Sequence, residues 1–363
     1  MDAHSAKDPK DATDTTNATT PHDRTGTLDE ALQRLHTTGP ERDGWLSNHA
    51  PMVAEALAAR GQAAAVHRWL DTYADKLEDF PSPVAPVTDA NWPAALGDPR
   101  RAADWITYFS HATAEGSWRD LLALWWPRLL PGMYGGATLP VIRVGHAVRA
   151  LLDGGVNPPR LTELAHGLGY WAARHQPVSG VTPLPGPPDS PATARSALDA
   201  VPPVPRLQGG FTERLARVGQ LPLWSDEVSD PDTARRRLAE LVRATTHRYA
   251  THGHGNATML VHAATAPNAV LRTLPALPRG LWVPSLHAAW TASAAVTAMY
   301  APEEAVPYVP APRGITGDDF LELALAHGEE HVIKLTDTAL DVADDQALAA
   351  ALRAIELSAP INS

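Results

Sequence analysis

The stretch VIRVGHAVRALLD, residues 141–153, shows the pattern that decides the fold class. Its apolar residues recur every three or four positions, the period of one face of an α-helix, and about a dozen segments share this rhythm. Helix-favouring Ala, Leu, Arg and Glu are abundant, whereas the alternating Val, Ile, Thr and aromatic runs typical of strands are nearly absent. The sequence therefore predicts an all-α protein, built as a single large helical domain of about a dozen helices.

Two segments fall outside this helical pattern. Residues 1–25 are rich in Asp, Thr, Lys and His and lack the apolar core of a signal peptide, which predicts a disordered N-terminal lead. Thr27 is a candidate N-cap for the first helix, with Glu30 in the capping-box position. Residues 181–206 carry so many prolines that we expect an inserted arm or linker without a helix. The helical domain is predicted to span residues 26–357.

Composition excludes several classes of function. The chain has 363 residues, of which 44% are hydrophobic, and its formal net charge of -11 disfavours a nucleic-acid or anionic membrane partner. It contains no cysteine, so any metal must be held by nitrogen and oxygen. Gly-rich nucleotide loops and a GxSxG nucleophile elbow are missing from the sequence. No apolar run reaches the length of a membrane span, and we expect a cytoplasmic protein.

Four of the sixteen histidines lie among Ala, Val and Leu in predicted helices. They are His49, His146, His262 and His287. A neutral imidazole that is buried in an apolar helix face needs a partner. That partner is either a backbone carbonyl, which would make the histidine a core residue, or a bound metal.

The segment LALAHGEEHVIKLTDTAL, residues 323–340, concentrates candidate ligands. His327, His331 and Lys334 are spaced by four and three, so a helix that continues through Gly328 would place them on one face. Imidazoles four residues apart suit iron, copper or zinc. An ammonium beside them would repel the cation unless burial or carbamylation removed its charge. The alternative is a solvated charged face in which the two neighbouring glutamates pair with the lysine.

Five segments, taken in order, resemble the questin oxidase family and cover the chain from about residue 27 to residue 340. They are NHAPMVAEAL (48–57), WPAALGDPRRAADWITYF (92–109), VIRVGHAVRALL (141–152), LVHAATAPNAVLRTL (260–274) and EEHVIKLTDTAL (329–340). The resemblance implies a helical oxygenase that cleaves an anthraquinone-type or related polycyclic polyketide in secondary metabolism. It also implies either Baeyer-Villiger chemistry or non-heme ferrous iron held by histidines and a carboxylated lysine.

The resemblance further implies a set of site residues. The implied metal ligands are His49, His146, His262, His331 and Lys334, with His287 and His327 as secondary candidates. Lys334 and Arg143 are the expected catalytic residues. Arg143 lies next to a ligand segment and would supply positive charge that lowers the pKa of a substrate phenol; the alternative is a surface or salt-bridged arginine. One position departs from the family pattern, because Leu139 stands where a histidine is expected. His146 or His287 would then have to replace it.

The expected partners are an aromatic polyketide substrate and dioxygen, with neither nucleic acid nor membrane. Eleven tryptophans supply flat side chains that suit a planar ligand, although most tryptophans serve packing. Two alternatives to the iron enzyme remain open. One is oxygenation without a metal, either free of cofactor or assisted by NADPH, with a bound flavin disfavoured by the missing dinucleotide motifs. The other is a polyketide-binding protein that has lost catalysis, which the Leu139 departure keeps open.

Overall fold

The computed structural model describes residues 21–178, 180–184, 193–205, 210–225 and 227–361, and these residues form one mostly helical domain. Sixteen α-helices lie within these ranges, accompanied by four strands of two residues each, so the all-α prediction is confirmed. The helices are α1 (Pro21–Leu35), α2 (Ala50–Ala59), α3 (Ala63–Tyr73), α4 (Trp92–Ala95), α5 (Ala102–Glu115), α6 (Trp118–Leu129), α7 (Leu139–Gly154), α8 (Pro158–Ala173), α9 (Ala194–Asp199), α10 (Phe211–Leu215), α11 (Pro231–His252), α12 (Met259–Thr273), α13 (Trp282–Tyr300), α14 (Gly317–His327), α15 (Glu330–Val342) and α16 (Asp345–Leu357).

Four of these helices form a central ring in which α2 packs on α7, α7 on α12, α12 on α15 and α15 on α2. The ring is close-packed where α7 meets α12, because a Cβ atom at Gly145 would lie 2.5 Å from the Cβ atom of Ala269. Only glycine permits this approach of the two backbones. His49, just before α2, is hydrogen bonded to Lys334 near the start of α15, and Arg272 near the end of α12 donates to Asp341 near the end of α15. Ala137, just before α7, lies beside His262 at the start of α12, and Gly145 further along α7 faces Ala269 further along α12. All four helices therefore run in one direction and begin at the same end of the ring.

The remaining helices cover this ring. Helix α11 packs on α12 and α16, α13 packs on α12, and α8 lies between α7 and α5. A cluster of aromatic rings fills the space between α4, α5 and α6, where Trp125 meets Trp92, Trp105, Tyr108 and Phe109 nearly edge to face at 5.0–5.5 Å. These side chains serve packing between helices. Within the described ranges, every helix is too short or too polar to span a lipid bilayer.

The first predicted helices begin at other residues in the structure. Helix α1 starts at Pro21, so the predicted disordered lead is wrong for residues 21–25, and residues 1–20 lie outside the described residues. Before α2, β1 (Glu41–Arg42) and β2 (Leu46–Ser47) form an antiparallel hairpin. The turn contains Asp43 and Gly44 with positive φ, a turn pair that favours hairpins over helices. Trp45 is 67% exposed at this turn.

The proline-rich segment 181–206 is ordered where the structure describes it. Strand β3 (Thr182–Pro183) pairs in parallel with β4 (Gln220–Leu221), and Val204 donates a backbone hydrogen bond to Ala298 at 2.7 Å. The expectation that this segment contains no helix is wrong, because its sequence ARSALD forms α9 on the surface of α11. The prolines flank this short run without entering it, and Thr193 caps its N-terminus with a capping box.

Candidate metal centre

The common N-terminal end of the four central helices brings together three imidazoles and one amine, as the sequence predicts. His49 precedes α2, His262 lies in the first turn of α12, and His331 and Lys334 lie in the first turns of α15. The ring centres of His49 and His331 are 4.6 Å apart, and those of His262 and His331 are 5.4 Å apart. The amine of Lys334 donates a hydrogen bond of 2.8 Å to Nδ1 of His49. All four side chains are buried.

The interruption of the helix between α14 and α15 places His331 in this group. Gly328 takes a left-handed conformation (φ 78°) that ends α14, and Glu329 becomes the N-cap of α15. The Glu329 carboxylate accepts backbone hydrogen bonds from His331 and Val332, and it accepts a third bond of 2.6 Å from Nδ1 of the His331 ring. This ring bond leaves Nε2 of His331 as the free ligand atom. In metal sites, a ligating histidine commonly donates its other ring N–H to such a carboxylate, which fixes the orientation of the ring.

Lys334 is 1% exposed, deep enough that its charge is costly. Burial lowers its pKa to about 8, and the attraction of Glu329 and Glu330 only partly opposes this shift. About a tenth of the side chains are therefore neutral amines at pH 7. The solvated charged face that was the alternative for this segment is excluded, because Glu330, His331 and Lys334 are all buried.

The other two imidazoles are held neutral. Burial lowers the pKa of His49 and of His262 well below the ordinary value, and the nearby Lys334 and His331 lower both pKa values further. His262 is 2% exposed, and neither of its ring nitrogens has a hydrogen-bond partner of ordinary geometry in the described residues. A buried imidazole without a partner is unfavourable on its own. A metal ion at this position would satisfy it.

The spacing of the rings fits a shared metal for two of the three pairs. Two imidazoles bound to one ion, each about 2.1 Å from it, have ring centres roughly 4.6–5.6 Å apart for angles between about 90° and 120°. The pairs His49–His331 and His262–His331 fall in this range. The three side chains do not, however, offer three nitrogens within 4.8 Å of one another. A rotation of the His49 or His262 ring would therefore accompany metal binding.

Three ligand atoms of Glu329, Glu330 and His331 do lie within 4.8 Å of one another. These carboxylates already have other partners, since Glu329 caps α15 and Glu330 pairs with Lys76 at 3.2 Å. Burial alone would raise the pKa of Glu329, but its interactions with His331 outweigh burial and lower the pKa to about 2, so the carboxylate is ionised. Glu329 therefore orients His331, which leaves the imidazoles as the groups that could hold a metal.

The electrostatic setting of the group favours negative charge. Helices α2, α7, α12 and α15 all begin here, and the N-terminal end of each carries a partial positive charge, although the Glu329 carboxylate already accepts two of the backbone N–H groups of α15. An anionic ligand is stabilised at such a position. A metal cation is stabilised only together with anionic groups such as a carbamate on Lys334 or an ionised substrate oxygen.

His146 lies outside this group, in a second buried cluster further along the same four helices. Its Nδ1 atom donates a hydrogen bond of 2.6 Å to Glu55, and Arg149 donates to the same carboxylate at 2.7 Å. In the described residues, neither a hydrogen bond nor a ring contact joins His146 to His49, His262 or His331. The expectation that His146 completes one ligand set with them is not supported, because its position on α7 faces the middle of α2.

Arg143 cannot supply the free positive charge expected beside the substrate. It is buried and makes two hydrogen bonds of 2.6 and 2.8 Å to the Glu163 carboxylate. This ion pair neutralises the guanidinium and holds the pKa of Glu163 far below its ordinary value, although burial alone would raise it. The nearest cation to the three imidazoles is instead Lys334.

The two secondary candidates are also occupied elsewhere. The imidazole of His287 donates to the backbone carbonyl of Ser225 at 3.0 Å. His327 donates to the carbonyl of Ser358 at 3.1 Å. The prediction that His327 and His331 share one helix face is wrong, because Gly328 ends α14 between them. Both side chains therefore behave as histidines bonded to a carbonyl, the alternative that the sequence left open.

Replacing Lys334 by Met should stabilise the protein at neutral pH. The unfolded lysine keeps its proton to about pH 10.4, whereas the folded one loses it near pH 8, so burying the ammonium costs up to about 3 kcal/mol below pH 8. The wild type recovers this stability as the pH rises from 8 to 10.4. Urea unfolding across this range should show the advantage of K334M at pH 7 shrinking toward zero, and an advantage independent of pH would contradict the assignment.

Two functional residues were not identified from the sequence. Glu329 entered the sequence analysis only in the alternative of a charged face paired with Lys334, and its role as cap and His331 partner depends on the helix break at Gly328. The Tyr73 hydroxyl accepts a hydrogen bond of 3.1 Å from the backbone N–H of His49 and fixes the start of α2. Nothing in the sequence context of Tyr73 indicates this contact. Together the buried groups form a nitrogen-rich centre whose imidazoles could hold a metal ion together with an anion. No protein-family model matches the chain, and no curated protein matches it at a significant level.

Proposed function

We propose that this protein is an oxygenase dependent on non-heme ferrous iron that acts on an anthraquinone-type polyketide. One observation carries the proposal: His49, His262, His331 and Lys334 meet, buried, at the common N-terminal end of four parallel helices. The resemblance to questin oxidases in the segments that hold these four residues supports the same activity. Ferrous iron at this centre would supply the redox chemistry by which dioxygen attacks an aromatic ring.

The residues of the chain have separate roles in this proposal. Nε2 of His331, fixed by Glu329, and the rings of His49 and His262 would hold the iron. The neutral fraction of Lys334 can add carbon dioxide, forming an N–C bond and releasing a proton, and the resulting carbamate would supply an anionic oxygen ligand. The helix N-termini stabilise that negative charge. The apolar surroundings keep water away from the reacting atoms.

The same centre supports a phenolic substrate. A hydroxyanthraquinone carries acidic hydroxyl groups whose ionised form is stabilised by four helix N-termini. Its flat apolar body suits the apolar residues that flank the imidazoles in sequence, since Val261, Ala263 and Val332 are all buried. Positive charge near the hydroxyl comes in this proposal from the helix ends and the metal, since Arg143 is neutralised by Glu163.

Metal binding tests the proposal most directly. Protein that is stripped of metal and reconstituted without oxygen should bind about one ferrous ion per chain, and cobalt(II) should give the visible spectrum of nitrogen coordination. Adding 1,8-dihydroxyanthraquinone in its reduced form should then cause oxygen uptake faster than the same compound shows without protein. Retention of less than about a tenth of an ion per chain would contradict the iron enzyme.

A second candidate, oxygenation without a metal, is favoured by one contact. The amine of Lys334 and Nδ1 of His49 are hydrogen bonded at 2.8 Å, and both pKa values are lowered by burial. Such a pair could take the proton from a hydroquinone, whose anion reacts with dioxygen directly. Oxygen uptake by metal-free protein, unchanged by a chelator, would support this candidate over the first. Dependence on NADPH would be tested in the same assay.

A further inference from the structure

Three consecutive residues before α7 adopt the left-handed conformation. They are Gly136 (φ 55°, ψ 33°), Ala137 (φ 53°, ψ 39°) and Thr138 (φ 68°, ψ -1°). Glycine adopts this conformation freely, but alanine rarely does and a β-branched residue almost never does. Each of the last two positions costs about 1–3 kcal/mol, and such strain persists only where its surroundings enforce it.

This left-handed turn lies against the candidate metal centre. It packs on α12, and the backbone carbonyl of Ala137 faces the His262 ring closely enough to oppose the lowering of its pKa by burial and by Lys334. Thr138 follows one peptide later, immediately before Leu139, the position where the family resemblance implies a histidine. The turn therefore contributes to the wall of the centre on the side of His262.

The hydroxyl group of Thr138 has no partner in this position. The side chain is 1% exposed, and its Oγ1 atom makes no hydrogen bond to any described residue. A threonine that precedes a helix ordinarily caps it by accepting a backbone N–H, but Thr138 makes no such bond to α7. A buried hydroxyl without a partner costs about 1–3 kcal/mol, in addition to the strain of the backbone. A structural role would be served better by valine.

We propose that the Thr138 hydroxyl is a substrate-binding group that donates a hydrogen bond to an oxygen of the ligand bound beside His262. The inference rests on the proposed function and names the part of the site that recognises substrate. The four helix N-termini select an ionised oxygen, so the bound group is a phenolate or enolate oxygen of the aromatic substrate. Such a ligand supplies the partner that the hydroxyl lacks and repays the strain of the turn.

Thr138→Val tests this role, because it keeps the shape of the side chain and removes the hydroxyl, while Thr138→Ser keeps the hydroxyl. Binding of 1,8-dihydroxyanthraquinone to anaerobic metal-loaded protein is followed by tryptophan fluorescence. We expect T138V to raise the dissociation constant about 10-fold and T138S to stay within about 2-fold of wild type. Cobalt(II) affinity should be equal in all three proteins, and the melting temperature of T138V should be unchanged or higher.

Each other outcome overturns the proposal. Equal affinity of T138V and wild type for 1,8-dihydroxyanthraquinone would show that the hydroxyl does not touch the ligand. A wild-type protein that binds cobalt(II) but not 1,8-dihydroxyanthraquinone would show the same. A T138V protein that melts well below T138S would show a structural hydroxyl. Failure of the wild type to bind any metal would instead count against the proposed function, and the dye titration on metal-free protein would then still decide the role of Thr138.

Discussion

Replacing Asp337 by Asn should lower the free energy of unfolding by about 3–5 kcal/mol, the largest stability effect that we expect from one substitution. Asp337 is fully buried on α15 and pairs with Arg60 at 2.7 Å, Arg149 at 3.0 Å and Arg272 at 2.8 Å. Burial would raise its pKa, but the attraction of the three guanidinium groups outweighs burial and holds the pKa well below the ordinary value. The neutral amide would leave these cations inside the protein without their common anion.

The same substitution should weaken metal binding at a distance. Asp337 ties α15 to α2, α7 and α12 one helical turn beyond Lys334, so its loss frees α15 to shift relative to the other ligand helices. The matched control is D232N, because Asp232 makes an exposed ion pair with Arg279 at 2.7 Å that contributes little to stability. Urea unfolding should separate the two variants, and a D337N protein within about 1 kcal/mol of wild type would contradict this account.

Helix positions were largely predictable because they depend on local sequence. The apolar rhythm of residues 102–115 and 345–357, for example, coincides with α5 and α16. The prediction failed where one residue interrupted a continuing rhythm. The apolar pattern suits a helix both before and after Gly328. Only the contacts of neighbouring residues determine that α14 ends there. The Trp69 indole donates to its carbonyl at 2.8 Å, a contact across 259 positions that no local pattern contains.

The candidate site was partly predictable for a different reason. Histidines in apolar helices are unusual enough to be noticed singly, and His49, His262 and His331 do meet. His146 has the same local signature and lies elsewhere, because its carboxylate partner comes from α2 and a sequence pattern does not report partners. The left-handed turn at Ala137 and Thr138 was not predictable at all, since neither residue type favours positive φ.

Replacing His331 by Ala should abolish iron retention and reduce turnover by at least about 100-fold, while the helical circular dichroism stays intact. His331 is the shared neighbour of the other two imidazoles, at 4.6 Å from His49 and 5.4 Å from His262, so its removal leaves them without a common third ligand. Stability should change little, because Glu329 still caps α15 through the backbone N–H of Val332. Iron per chain and oxygen uptake are the two measurements.

Two further variants separate ligation from general damage. Glu329→Gln keeps the cap but weakens the bond that orients the His331 ring, so iron affinity should fall by about 10–100-fold without being lost. His111→Ala changes an exposed imidazole on α5 and should leave iron content and turnover at wild-type levels. Iron binding should decrease from wild type and H111A to E329Q and then to H331A. This order follows only if His331 touches the metal and Glu329 acts through it. An H331A protein that keeps about one iron per chain and remains active would refute the ligand set, because the ring that links the other two would then have no part in binding.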